Sequence, residues 1–185
     1  DAFISPDGYL ALHSTIPTLA VMHDINFEHY PEDLPGAYGN YYRSYFPRFA
    51  RHATRLATVS EFSRHDIATT YGVSEPHIDV VYNGVGEVFR PLTAEEIANS
   101  RTEFAQGHPY ITCVGSLNPR KNIARLLLAF DGLITEHGSE LRLVIVGEKF
   151  WWDGNMKQAW DKVIHKDRVI FTGRLGQPKL HKALG

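Results

Sequence analysis

The chain has 185 residues, 43% of them apolar, and a formal net charge of -2. That apolar content suffices for one substantial core or two small ones and argues against a disordered chain. With 19 basic against 21 acidic residues, the balance argues against a general binder of nucleic acid or of anionic membranes, so any cationic site must be local.

In chain order, PTLAVMHD (17–24) reads as a buried strand with His23 and Asp24 at its carboxyl end. Residues 24–36 read as a loop, and 38–54 as an aromatic, arginine-rich helix that Pro47 should kink or divide. RLATVS (55–60) is a brief strand, after which Ser60-Glu61-Phe62-Ser63 opens a helix to Tyr71 with Gly72 as its stop. HIDVVYNG, from His77, is the next strand. The Gly- and Pro-rich segment Asn83–Pro91 then interrupts the alternation and marks a domain boundary; the alternative is a β-hairpin turning at Asn83-Gly84.

Beyond it, Thr93 to Gln106 forms a polar helix whose Thr-Ala-Glu-Glu start has capping-box character. There follow strand PYITCVG, a helix from Pro119 to about His137, strand LRLVIVG, a helix from Asn155 to Ile164, strand RVIFTG and a helix opening near Gln177. This alternation implies an α/β fold with parallel sheets covered by helices, divided as two Rossmann-like domains over 1–86 and 87–185. DAFISP reads as the end of a strand and LHKALG as the inside of a helix, so each domain is expected to be incomplete in this chain. The single cysteine, Cys113, lies in an apolar run and offers no disulfide framework. Without a basic leader or a membrane-length apolar run, the expectation is a soluble, cytoplasmic protein.

In open α/β sheets ligands gather beyond the carboxyl ends of the strands. One such end, VGSLNPRKN (114–122), sets Arg120 and Lys121 where a helix should begin, the pole at which the helix dipole disfavours cations. Free backbone N–H groups converging with both cations on a bound anion would reverse that penalty; the alternative is that both side chains extend into water. His23 and Asp24 suit contact with a ligand or a structural pair with each other. Ser60 and Glu61 are weak ligand candidates, since Ser60 can cap its helix. Trp151 and Trp152 suit stacking on a sugar or simple packing. No Asp-x-Asp, His-Glu-x-x-His or Cys-x-x-Cys occurs, so no metal site is expected. The lack of G-x-G-x-x-G after any strand disfavours a nicotinamide-dependent dehydrogenase.

VGSLNPRKNIARLLLAF resembles the nucleotide-binding segment of retaining GT-B glycosyltransferases of the large family 4. VMHDINFEHYP, ATVSEFSRHDI, VVYNGVGEVFRP, LVIVGEKFWWDG and RVIFTGRL agree with that family in order and spacing, over nearly the whole chain. The resemblance implies a GT-B fold of two Rossmann-like domains, the first binding mainly the acceptor and the second mainly a nucleotide-sugar donor. It implies that Lys121, supported by Arg120, holds the donor diphosphate, with Ser116 standing where many members have an arginine. Gly147 would let the donor approach the backbone, and Gly173 and Arg174 match the segment that contacts the base.

His23 and Asp24 match the His-Asp pair of a mannosyltransferase-like subgroup, in which the histidine faces the transferred sugar and can donate to one of its hydroxyls. The implied reaction is retaining transfer of a hexose, with mannose the lean, from a GDP- or UDP-hexose to a glycan or lipid-linked acceptor, without cofactor or metal. The cytoplasmic face of the inner membrane is then a natural place for it. The family's E-x(7)-E segment is not found, so a catalytically incomplete GT-B relic acting as a binding module is the alternative.

Overall fold

In a computed structural model, which describes residues 1–34, 36–148 and 154–185, the apolar runs become strands β1 (Phe3–Ser5), β2 (Thr18–Val21), β3 (Arg55–Thr58) and β4 (Ile78–Val80). These form one parallel sheet in the order β1-β2-β3-β4. A second parallel sheet, β5-β6-β7, contains β5 (Tyr110–Val114), β6 (Arg142–Val146) and β7 (Val169–Gly173). Backbone packing divides the chain into unit 1, Asp1–Gly84, and unit 2, Val85–Gly185. The α/β class with two Rossmann-like units is therefore present. Residues 81–92 form no strand, which removes the hairpin alternative at Asn83-Gly84.

In unit 1, residues 24–36 are not simply a loop. Asn26–His29 forms a short helix, α1, and Pro31–Asp33 a 3-10 turn. Burial of Ile25 and Phe27 explains why this polar stretch winds up. Helix α2 (Gly36–His52) runs through Pro47 undivided. A proline removes one helical N–H, but Phe46 and Phe49 on either side of it are both buried and anchor both halves to the core. Helix α3 (Glu61–Tyr71) follows the sequence closely: Ser60 Oγ accepts the Ser63 N–H, and Gly72 closes the helix at a left-handed φ of 66°. Strand β4 ends at Val80, because Val81 and Tyr82 are exposed and have no apolar surface to cover.

Unit 2 opens with α4 (Ala94–Ala105), begun by a complete capping box between Thr93 and Glu96. The Arg90 guanidinium, together with the Thr93 backbone N–H, holds the Glu96 carboxyl down at about 2. Helix α5 (Ile123–His137) starts later than the sequence suggests, after a 3-10 turn at Pro119–Lys121 and an Asn122 at φ 54°. Asparagine is among the few side chains that tolerate this left-handed conformation. Helices α6 (Gly154–Lys162) and α7 (Gln177–Leu184) complete the unit. Trp151 and Trp152 lie outside the described residues.

The two interiors differ in kind. Rings fill much of unit 1, where Phe27 and Phe46 meet edge to face at 5.2 Å. Branched aliphatics, among them Leu117, Leu127, Leu143 and Ile145, fill one side of the unit 2 sheet without measurable exposure. Register then aligns the strand ends that matter. Val21 sits opposite Ala57 in unit 1, and Val114 opposite Val146 in unit 2. A shift at Ile145/Val146 brings Val146 opposite Gly173, so the turns after β5, β6 and β7 emerge together.

Candidate functional site

In unit 1 the chain leaves β2 through Met22 and delivers His23 and Asp24 to a pocket of about 340 Å³ that Asp7, Tyr9 and Tyr42 also wall. The two predicted residues do not bond to each other. His23 Nε2 lies 3.1 Å from the Pro6 carbonyl, and the Asp24 carboxylate accepts the Asn26 N–H at 3.1 Å. A carbonyl has no proton to give, so Nε2 must be the protonated nitrogen and the neutral ring carries its lone pair on Nδ1. Nδ1 is then the ring nitrogen left for a ligand. Sugar hydroxyls can meet it either way, because each is both donor and acceptor.

Tyr9 and Tyr42 were not singled out in the sequence as site residues. Tyr9 donates its hydroxyl to that of Tyr42 at 3.0 Å, a bond that with partial burial raises its pKa to about 12 and keeps it protonated at ordinary pH. Ser60 and Glu61 have partners within their own helix. Ser60 binds Ser63 through both its oxygen and its hydroxyl hydrogen, and Glu61 pairs with Arg64 at 2.6 Å.

In unit 2, Ser116, Gly147 and Arg174 line one pocket of about 460 Å³ at the carboxyl ends of β5, β6 and β7. Its floor is backbone. Gly115 donates to the Val146 carbonyl, Gly147 to the Gly173 carbonyl and Leu117 to the Glu148 carbonyl, all within 3.0 Å. Gly147 has a φ of 155°, and a Cβ there would overlap the Gly115 carbonyl oxygen. The close approach of these two turns requires glycine at 147 whatever binds above them. Glu148 and Gln177, which the sequence reading passed over, belong to the same wall. Their signal was position alone, one residue past a strand glycine and one residue into a helix.

The two cations of VGSLNPRKN part company. Lys121 folds back over the end of β5, its Cε 3.6 Å from where a Gly115 Cβ would stand. Burial pushes the Cys113 thiol up, and the nearby Lys121 charge partly opposes this. Arg120 instead lines a separate pocket of about 480 Å³ with Asn122, Arg125 and Asn155. The N–H groups expected to be free are also occupied. Arg120 N–H goes to the Asn118 side chain at 3.0 Å, and Lys121 and Asn122 N–H go to the Asn118 and Pro119 carbonyls. The electrostatic misfit read from the sequence thus dissolves structurally, because neither cation lies in the first turn of α5.

Among the described residues, no three His, Cys, Asp or Glu side chains converge as a metal would require. No helix among them is long and apolar enough to cross a membrane.

Comparison with known proteins bears on both units. Residues 2–87 match the family model of Glycosyltransferase Family 4, and residues 94–185 match that of Glycosyl transferases group 1. O-antigen chain mannosyltransferase B of Escherichia coli is 25% identical over 171 residues, which cover 91% of this chain and 44% of that protein. Alr3699/HepE of Anabaena, solved in complex with UDP and glucose, superposes with a TM-score of 0.69 at 19% identity, over 91% of this chain and 44% of that one. The α,α-trehalose 6-phosphate synthase of Burkholderia multivorans reaches 0.51 at 12% identity over the same shares. The chain thus spans less than half the length of these relatives. Matched in its two halves by two glycosyltransferase models in succession, it belongs to the group 1 glycosyltransferases.

Proposed function

We propose that this chain serves the transfer of a hexose, with retention and without a metal or other cofactor, from a GDP- or UDP-hexose to a glycan acceptor. Unit 2 is the donor side and unit 1 the acceptor side. The observation that carries this reading is the Lys121 ammonium-bearing chain folded over Gly115, beside a glycine-floored pocket that Ser116 and Arg174 also line.

A diphosphate above that floor meets Lys121 directly, while Ser116 adds a neutral donor and Arg174 and Gly173 border the nucleoside. Arg120 acts at longer range. The anomeric carbon loses its bond to the phosphate oxygen and gains one to the acceptor oxygen on the same face, and the leaving phosphate takes the acceptor's proton. The protein's share is to stabilise the charge that builds on the diphosphate, which a fixed ammonium does without reorganising. His23, with Nε2 held by Pro6, presents Nδ1 to a hydroxyl of the transferred sugar, and Asp24 anchors the turn that holds it. The relatives lend support: one is named for mannosyl transfer, and a structural neighbour holds UDP and glucose. The cytoplasm is the compartment, at the inner membrane surface if the acceptor is lipid-linked.

Calorimetric titration with GDP and UDP tests the donor side. Lys121→Ala should weaken binding about ten- to a hundredfold, as expected for loss of hydrogen bonds to a charged group, and leave thermal stability unchanged. Equal affinity in wild type and variant would overturn the assignment. Ser116, a neutral group where many members of the family carry an arginine, favours a second reading, a nucleotide-binding module that performs no transfer by itself. Nucleotide binding without hexose transfer to any offered glycan would select it.

A further inference from the structure

Unit 1 carries more exposed ring surface than its core requires. Along α2, Phe46 and Phe49 are buried, but Tyr41 and Tyr45 are 41% and 36% exposed, and Tyr9 beside them is 41% exposed. The rings are ordered against one another: Tyr41 and Tyr45 stack at 4.7 Å with planes 26° apart, and Tyr9 lies 6.3 Å from Tyr41. Tyr9 also walls the pocket that receives His23 and Asp24, so the ring surface begins at the rim of that pocket and runs outward along α2. At its far end the Arg48 guanidinium stands 5.3 Å from the centre of the Tyr45 ring.

Contiguous exposed rings of this kind mark a binding surface, and their chemistry narrows the occupant. A membrane-seated helix presents Leu, Phe or Trp. Helix α2 has no Leu, Ile, Val, Met or Trp, and each exposed ring on it bears a hydroxyl. Nor does it carry an Asp or Glu, so nothing on the helix neutralises Arg48. Flat apolar faces rimmed by hydrogen-bonding groups match a pyranose, whose C–H faces stack on rings while its hydroxyls bond at the edges. The Arg48 guanidinium, which has no ion-pair partner among the described residues, complements oxygen-rich groups.

We infer that Tyr9, Tyr41 and Tyr45, with Arg48, form a platform for an oligosaccharide acceptor, whose terminal residue enters the pocket beside His23 and Asp24 while the preceding residues stack along α2. The substrate class is then a saccharide chain, not a single sugar. This rests on the glycosyl-transfer reading above.

The test titrates the chain with tetrasaccharides of mannose, glucose and N-acetylglucosamine and with the matching methyl monosaccharides. At least one tetrasaccharide should bind about tenfold more tightly than its monosaccharide, the gain expected from one or two added stacking contacts. Tyr41→Ala and Tyr45→Ala should abolish that advantage without lowering the melting temperature, and Tyr41→Phe and Tyr45→Phe should keep it. An advantage that is absent, or that survives both alanine changes, overturns the platform. So does tyrosine-dependent sedimentation with phosphatidylglycerol vesicles in place of oligosaccharide binding. GDP and UDP titrations on the same samples separate the two readings: intact nucleotide binding with a failed platform sinks only this inference, and failed nucleotide binding in wild type sinks the donor assignment.

Discussion

In unit 1 the carboxyl ends of the strands open onto rings and carboxylates; in unit 2 they open onto glycine backbone, Ser116, Arg174 and Glu148, with Lys121 beside Gly115. Both units place these groups by the same device, a parallel sheet whose strands end in register. The sheet decides where a ligand can sit, and the few residues after each strand decide which ligand it can be. On the readings proposed above, one scaffold would offer a surface for C–H faces and hydroxyls in unit 1 and one for a diphosphate in unit 2.

Glycine substitution is the sharpest way to probe that difference. Gly147→Ala sets a methyl against the Gly115 backbone, which cannot yield, and should cost about 3 kcal/mol or more. Gly8→Ala, at a φ of 78°, presses on the side chains of Met22 and Phe46 at 3.3 Å and lies at ordinary contact distance, 3.4 Å, from the Val21 carbonyl. The side chains can move, so its cost should stay near the ~1–2 kcal/mol of the left-handed backbone itself. Urea midpoints of the two variants measure the contrast, and equal losses would show that the floor of unit 2 is no tighter than the rim of unit 1.

The units should also separate by pH. In unit 2, burial works to raise the Asp131 carboxyl, but hydrogen bonds from His165 and Ile164 prevail and hold it below its ordinary value. A depressed carboxyl contributes stability that is present above its unfolded pKa, near 4, and lost as pH falls. In unit 1, burial and a hydrogen bond to Glu28 raise the Tyr71 hydroxyl. A raised phenol contributes below its unfolded pKa, near 10, and that contribution is lost as pH climbs. Asp131→Asn should flatten the acid arm of the stability profile and cost about 1–3 kcal/mol at neutral pH. Tyr71→Phe should flatten only the alkaline arm. Melting temperatures from pH 3 to 11 would record both, and an arm left unchanged in its own variant would refute that assignment.

The smallest effects should be the same in both units. Ser60→Ala and Thr93→Ala each remove a helix cap and should lower stability by about 1 kcal/mol. A difference much larger than that in thermal unfolding would mean that a cap is tied into its neighbouring site.

What the sequence disclosed divides along physical lines. Signals that act within one turn of chain were readable: Ser60 and Gly72 bounding α3, and Thr93 with Glu96 opening α4. Alternation exposed both sheets, because buried parallel strands must be apolar throughout. Effects that depend on distant surfaces were not readable. Pro47 fails to divide α2 because the core grips Phe46 and Phe49, and the 24–36 stretch coils because Ile25 and Phe27 find cover. The candidate sites show the same pattern. Position after a strand pointed to His23, and the family resemblance to Ser116, Gly147 and Arg174, whereas Tyr9 entered the picture only through its contact with Tyr42, 33 residues away. Arg120 and Lys121 are adjacent in sequence, but a 3-10 turn and the left-handed Asn122 send them to different surroundings.

The contact between the turns after β5 and β6 has a mechanical consequence. Because Gly147 is pressed against Gly115 and the Leu117 N–H is tied to Glu148, neither turn can shift without dragging the other. The two behave as one stiff plate. The donor proposed for this site would find a surface already ordered, and little of its binding energy would be spent in quenching loop motion. Selectivity at this plate then comes less from adaptation than from what fits a shape set when the chain folds.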